Sequence, residues 1–280
     1  MLELKAYAKI NLTLDILGKL DSGYHEINSL MQQIRLHDNI FLKNINENKI
    51  KISCNKEIEK KDNLAYKAAL LLKNKFNIKE GIEIKIEKNI PIASGLSGGS
   101  TDAAITLICL NKLWNLNLTE NELISLASDI GKDIPFHIIG GACKVSGTGE
   151  ALKKINSLEM DIILINPGFK ISTKEAYDNL DLNKTGKKLK TEDIIKAINN
   201  ENINAVAANL HNDFELSIIK KYPIIKKIKE ELTKNNALNA LMTGSGPTVF
   251  GIFENEDKAK KAYDNLKDKF NFVHITKTIK

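Results

Sequence analysis

The clearest periodicity in the chain is at Gly81–Lys88, where Ile82, Ile84 and Ile86 alternate with Glu83, Lys85 and Glu87. Strand side chains alternate between faces, so this predicts a half-buried strand, ended by Pro91. Leu12, Leu14 and Ile16 alternate similarly with Thr13 and Asp15, and residues 2–17 read as strand, turn, strand. Residues 29–34, 39–43 and 50–54 read as further strands. Leu64, Ala68, Leu71 and Leu72 lie at helical spacing, predicting a helix over 63–76 with Asp62 as N-cap. Thr119 and Glu122 stand in capping-box register at the start of a second helix, 119–129. Pro135 biases Ile134 away from helix, so 131–136 reads as a loop. Gly140-Gly141 and Ser146–Gly149 punctuate a hairpin. Beyond Met160 come a buried strand at 162–165, a Pro167-Gly168 turn, Lys-rich amphipathic helices, strands at 249–253 and 272–276, and between those a helix over 259–270. Strands and helices in mixed order give an α+β class, with a boundary expected near residue 155.

Composition narrows the picture. The 280 residues are 42% hydrophobic and 27% charged, a balance typical of a globular chain. No apolar run approaches the roughly 20 residues a membrane helix needs, and Met1-Leu2-Glu3-Leu4-Lys5 is no signal peptide, so a cytoplasmic protein without membrane contact is expected. Cys54, Cys109 and Cys143 are widely spaced, which disfavours disulfides and structural zinc and predicts indifferent thiols. The net charge is +6, yet Arg35 is the sole arginine, and residues 1–150 hold 19 basic against 18 acidic side chains. Phosphate and base-edge recognition favour arginine's planar fork, so the Lys-rich helices predict solvated faces and no nucleic-acid partner.

Candidate chemistry concentrates in glycine-bearing segments. Gly95, Gly98 and Gly99 fall just before an apolar helix expected to begin near Ser100, so loop amides and a helix N-terminus can cradle an anion. The loop lacks the Gly-Lys-Ser/Thr ending of a Walker motif and the glycine spacing of a dinucleotide fingerprint. Lys9 and Asn11 share one side of a strand by parity, although a lone strand lysine is commonly a solvated one. Tyr24-His25 could stack on and hydrogen-bond a base, as many loops could. Asp133 in Gly131–Phe136 reads as a turn former, and Gly244–Gly251 as a second glycine turn entering a strand.

Together, Ala8-Lys9-Ile10-Asn11-Leu12 with Gly23-Tyr24-His25-Glu26, Pro91–Ala104, Gly131–Phe136 and Thr243–Gly251 resemble the GHMP kinase superfamily, in its order and over nearly the whole chain. The Ala-Lys-Ile-Asn and Gly-Tyr-His pairing resembles the branch that phosphorylates 4-diphosphocytidyl-2-C-methyl-D-erythritol. The resemblance implies a ribosomal-protein-like N-terminal domain (1–155), a ferredoxin-like α/β C-terminal domain (156–280) and a cleft between them. It implies ATP-dependent transfer to the free 2-hydroxyl of that substrate, with Mg2+, in the non-mevalonate route to isoprenoid precursors. Asp133 would accept the hydroxyl proton, and Lys9 would keep Asp133 ionised and offset developing charge. Pro91, Ile92, Ala93, Ser94, Gly95, Leu96, Ser97, Gly98, Gly99, Ser100, Thr101 and Asp102 would wrap the ATP phosphates, with Ser100 or Thr101 reaching the β-phosphate or the metal. Asn63 would line the adenine pocket. Tyr24, His25 and Tyr177 would hold the cytosine, and Asn11, Gly244 and Ser245 the remainder of the substrate. Ser97 departs from the superfamily's glycine, and a small residue at negative φ is expected to fit there. A monomer or weak homodimer is implied. The rival readings are another small-molecule kinase of the superfamily and a non-catalytic RNA-binding module, against which the near-neutral N-terminal half argues.

Overall fold

The first two strands are longer than their pattern predicts, because both faces of their middle stretches are covered. In the computed structural model, which describes residues 2–280, β1 (Leu2–Lys19) runs unbroken through the expected turn, and β2 (His25–Ile45) joins two expected strands. Thr13 and Asp15 are fully buried, so their alternation with leucine does not mark a solvent face. β3 (Ile50–Cys54), α1 (Leu64–Lys75), β4 (Gly81–Glu87), α2 (Gly98–Leu113), α3 (Glu120–Ser128) and α4 (Ile134–Ile139) follow. Then come β5 (Ala142–Gly147), β6 (Ala151–Ile155), β7 (Asp161–Asn166), α5 (Thr173–Asp178), α6 (Thr191–Asn199), α7 (Ile203–Ala208), β8 (His211–Asn212), α8 (Glu215–Lys221) and α9 (Ile224–Lys234). β9 (Asn239–Met242), β10 (Val249–Phe253), α10 (Glu256–Leu266) and β11 (Phe272–Lys277) complete the chain.

Two compact units interleave along the sequence. One comprises the chain up to Ala8, Leu36–Ile92 and Ser97–Gly140. Within it β3 pairs parallel with β4, and β4 antiparallel with Asn39–Ile45 of β2. Ile40, Leu42, Ile82, Ile84 and Ile86 form a core with Ala68, Leu72, Leu107 and Leu110 of α1 and α2. Asn63, not Asp62, caps α1, accepting from the amides of Ala65 and Tyr66. The Thr119–Glu122 capping box is formed. α4 occupies part of the expected loop: Pro135 falls in its first turn, where the missing N–H would have had no partner anyway.

The second unit comprises Lys9–Arg35, Ala93–Leu96 and Gly141–Lys280. Ile27–Gln32 of β2 pairs with β5, β5 with β6, and Thr13–Leu14 of β1 parallel with β8. A separate antiparallel sheet has the order β11-β7-β10-β9, the ferredoxin-like arrangement, with α9 and α10 packed on it. The final helix starts three residues earlier than expected because Asn255, accepting from the Lys258 amide, caps it. Among the described residues, no helix is long and apolar enough to cross a membrane.

Candidate active site

Lys9 lies on β1 and is 3% exposed, so its ammonium must be hydrogen-bonded. Nζ donates to Asn11 Oδ1 at 2.7 Å and to the Gly95 carbonyl at 2.8 Å. Strand parity explains the first contact and the glycine segment supplies the second. Asn11 is itself buried: its Nδ2 donates to Ser29 Oγ at 2.9 Å, and its amide donates to Thr243 Oγ1 at 3.0 Å. In this structure Asn11 therefore holds Lys9 in place. Gly244 belongs to the same assembly; a Cβ there would fall 3.1 Å from the Gly95 carbonyl oxygen and 3.3 Å from Lys9 Nζ. Ser245 is half-buried in the turn that follows.

Between Pro91 and Asp102 the chain turns through left-handed conformations at Ala93, Gly95 and Ser97. Gly95, at φ +80°, admits no side chain, since a Cβ would stand 2.2 Å from the Thr243 carbonyl oxygen. Pro91, Ile92 and Ser97 are half-buried, Ala93 exposed, and Ser94 and Leu96 buried. Ser97 has φ 61°, not the expected negative value, and α2 begins at Gly98, two residues before Ser100. The first-turn amides of Gly98, Gly99 and Ser100 have no intrahelical acceptor, and the helix dipole places partial positive charge there. This is an anion-binding end. Thr101 is buried with Oγ1 lacking a hydrogen-bond partner.

Asp102 is engaged by a buried cation. Its Oδ2 accepts from Lys88 Nζ at 2.7 Å, and the same ammonium donates to Asp38 Oδ2 at 2.5 Å, all three side chains being buried. Asp38 Oδ1 also accepts the amides of Asn89 and Ile90. Burial pushes the Asp102 carboxyl well above the carboxylate range, against the pull of Lys88. Burial acts to lower Lys88, yet the charges of Asp102 and Asp38 override it and hold the ammonium above its ordinary value. No local motif announces this trio, because its members stand 50 and 14 residues apart. Gly98 packs directly on it, with a Cβ position 3.1 Å from Lys88 Nζ.

Asp133 occupies the residue before α4, and its Oδ2 accepts from Ser97 Oγ at 3.0 Å. Asn63 is placed by its capping role at α1. His25 opens β2 and stacks on Tyr177 of α5, with ring centroids 4.3 Å apart and planes at 14°. Phe214 meets Tyr177 edge-on. Tyr24, next to His25 in sequence, is 56% exposed. Burial, with the Lys19 ammonium adding to it, holds His25 below its ordinary value.

A buried trio of Asp15, His211 and Asp213 ties β1 to β8. Asp213 Oδ1 bonds His211 Nε2 at 2.8 Å, while Oδ2 accepts the amides of Ile16 and Gly186. Its hydrogen bonds are those of a structural clasp.

Models described as "GHMP kinases N terminal domain" and "GHMP kinases C terminal" match residues 63–161 and 194–271. A protein of Clostridium perfringens named 4-diphosphocytidyl-2-C-methyl-D-erythritol kinase is 44% identical, covering 99% of this chain and 98% of its own. One of the same name from Caldicellulosiruptor saccharolyticus is 47% identical, covering 98% and 96%. A crystal structure of 4-(cytidine 5'-diphospho)-2C-methyl-D-erythritol kinase superposes with a TM-score of 0.88 at 27% identity, covering 99% of both chains. Likeness of fold extends further: a crystal structure of L. major mevalonate kinase has a TM-score of 0.77 at 14% identity, covering 99% of this chain and 96% of its own. The chain belongs to the 4-diphosphocytidyl-2-C-methyl-D-erythritol kinase family, within the GHMP kinases.

Proposed function

We propose that this protein transfers the γ-phosphoryl group of ATP to the 2-hydroxyl of 4-diphosphocytidyl-2-C-methyl-D-erythritol. The observation that carries the choice of substrate is the His25–Tyr177 stack, an aromatic platform of the kind a pyrimidine ring can join. The names of the full-length relatives support the same choice.

Phosphoryl transfer is chiefly positioning and charge neutralisation. The loop amides and the N-terminus of α2 bind the triphosphate through fixed dipoles that need no reorganisation during reaction. Lys9, fixed by Asn11 and the Gly95 carbonyl, supplies positive charge to the transferring group. Asp133 accepts the proton of the acceptor hydroxyl. Tyr24, His25 and Tyr177 orient the cytosine, and Gly244 and Ser245 line the remainder of the substrate. Asn63 flanks the adenine. Magnesium favours oxygen ligands and usually takes few from protein when phosphates are present. The first turn of α2 fits that habit: Ser100 and the unpartnered Thr101 Oγ1 are hydroxyl donors, while the Asp102 carboxyl is engaged by Lys88. Ser100 would hold the ion, which when bound supplies charge neutralisation between the phosphates. The division near residue 155 into N- and C-terminal domains belongs to the same proposal.

A coupled ADP-release assay with the cytidyl-erythritol substrate, beside mevalonate and homoserine, tests the reading. ADP release with the first alone is expected, and preference for either of the others overturns it. Asp133→Ala is expected to lose at least about two orders in kcat with substrate affinity kept. Lys9→Ala should be comparably damaging.

A further inference from the structure

Ser97 stands where the superfamily loop commonly has glycine, and it adopts φ 61°, ψ 31° immediately before α2. An L residue takes this left-handed conformation at a cost that glycine would not bear. Serine preceding a helix ordinarily caps it, yet the Ser97 side chain makes no cap hydrogen bond. Asp133, another good capping residue, precedes α4 and likewise makes none. The two side chains bond each other instead: Ser97 Oγ donates to Asp133 Oδ2 at 3.0 Å, across 36 residues of sequence. Two helix starts thus forgo their caps in favour of one contact, and that contact lands on the carboxylate assigned above to the chemistry.

We propose that Ser97 is a positioning residue for Asp133. Its hydroxyl holds Oδ2 and fixes the carboxylate rotamer, leaving Oδ1 as the oxygen that receives the proton of the acceptor hydroxyl. The serine keeps its own proton throughout; only the substrate proton moves, to Oδ1. A glycine at this position relaxes the backbone but leaves the carboxylate to be held by other means. The proposal rests on the reading of Asp133 as the proton acceptor.

Ser97→Gly separates positioning from structure, because it removes the hydroxyl while relieving the left-handed strain. Its Tm is expected to equal or exceed that of the parent, with KM for ATP and for the acceptor unchanged. Its kcat should fall about tenfold or more, the scale of one lost hydrogen bond to a charged group. Ser97→Ala should lose the same factor in kcat while retaining the strained backbone. In an Asp133→Asn background, Ser97→Gly should have no further effect, as a double-mutant cycle requires when one residue acts through the other. A kcat of Ser97→Gly within twofold of the parent overturns the proposal. So does an equal loss in both backgrounds, or a rise in KM for ATP at unchanged kcat, either of which would assign the hydroxyl to the triphosphate. Normal turnover by Asp133→Asn alone would remove the carboxylate from the chemistry, and the role of Ser97 with it. That result reads out separately from the others.

Discussion

The imidazole of His25 lies flat against the phenol ring of Tyr177, 4.3 Å between centroids, although 152 residues separate them in the chain. Phe214 abuts Tyr177 edge-on at 4.9 Å and fixes its tilt. Base–aromatic stacking contributes about 1–3 kcal/mol. Tyr177→Ala should therefore raise KM for the cytidyl substrate about 5- to 150-fold with kcat little changed, whereas Tyr177→Phe should behave like the parent. Steady-state ADP release decides it, and an unaltered KM in Tyr177→Ala would detach the ring from the base.

His25 also sets a pH dependence. Its value lies below 6.5 because burial, and then Lys19, disfavour the imidazolium. The neutral ring therefore persists to lower pH than a free imidazole would. KM for the cytidyl substrate should be level from pH 8 to about 6.5 and rise only below that, as the ring charges. The same shift makes a small contribution to folding that is present above pH 6.5 and lost as pH falls through the depressed value. A KM profile of His25→Gln that keeps the acid limb would assign that limb to another group.

Lys88 is the shared buried partner of Asp38 and Asp102. Removing one partner of a buried pair leaves an uncompensated charge and commonly costs about 3–5 kcal/mol. Lys88→Met should lower stability by that order, read as a fall in the urea midpoint at unchanged slope. A loss below about 1 kcal/mol would show that the trio contributes little net stability.

Gly95 has no room for a methyl group: its φ is +80° and its Cβ position overlaps the Thr243 carbonyl. Gly95→Ala should destabilise the protein by about 1–3 kcal/mol and raise KM for ATP, since the loop must move to relieve the overlap. Gly99, whose Cβ position meets only Leu64 at 3.6 Å, is the control: Gly99→Ala should leave Tm nearly unchanged.

The thiols should differ in reactivity. Cys109 is buried, and burial pushes its thiol up to about 12; Cys143 is also buried, whereas Cys54 is partly exposed. The thiolate is the reacting form. A native-state titration with a thiol reagent should label Cys54 first, and Cys109 and Cys143 only on unfolding. Rapid labelling of Cys109 in the native protein would contradict its placement in the core.

The parts legible in the sequence are those where a pattern has a local cause. The alternation in β4 arises from one buried and one wet face, and the Thr119–Glu122 box from helix ends that need partners. β1 hides its length because residues 8–16 are buried throughout, so Thr13 and Asp15 imitate a polar face while standing inside the protein. Pro135 does not separate loop from helix, because its restriction on the preceding residue is compatible with a helix that starts there. Around the candidate site, Lys9 with Asn11 follows from strand parity. The Lys88 trio and the Ser97–Asp133 bond do not, since both are made between distant segments with no spacing rule. The left-handed φ of Ser97 is likewise illegible in the sequence, because the neighbouring glycines are compatible with either sign.

The clasp of β8 on β1 has a consequence for biosynthesis. Thr13 and Leu14 find their parallel neighbours only at His211 and Asn212, and Asp213 then fastens Ile16. At about 5–20 residues per second, a ribosome needs some 10–40 s to make the intervening chain. For that interval one margin of the earliest strand has no native neighbour, and an unpaired strand margin invites association with other nascent chains. Slow translation of the segment before His211 should thus favour aggregation, and chaperones that shelter emerging amino termini should matter more to this enzyme than its modest size suggests.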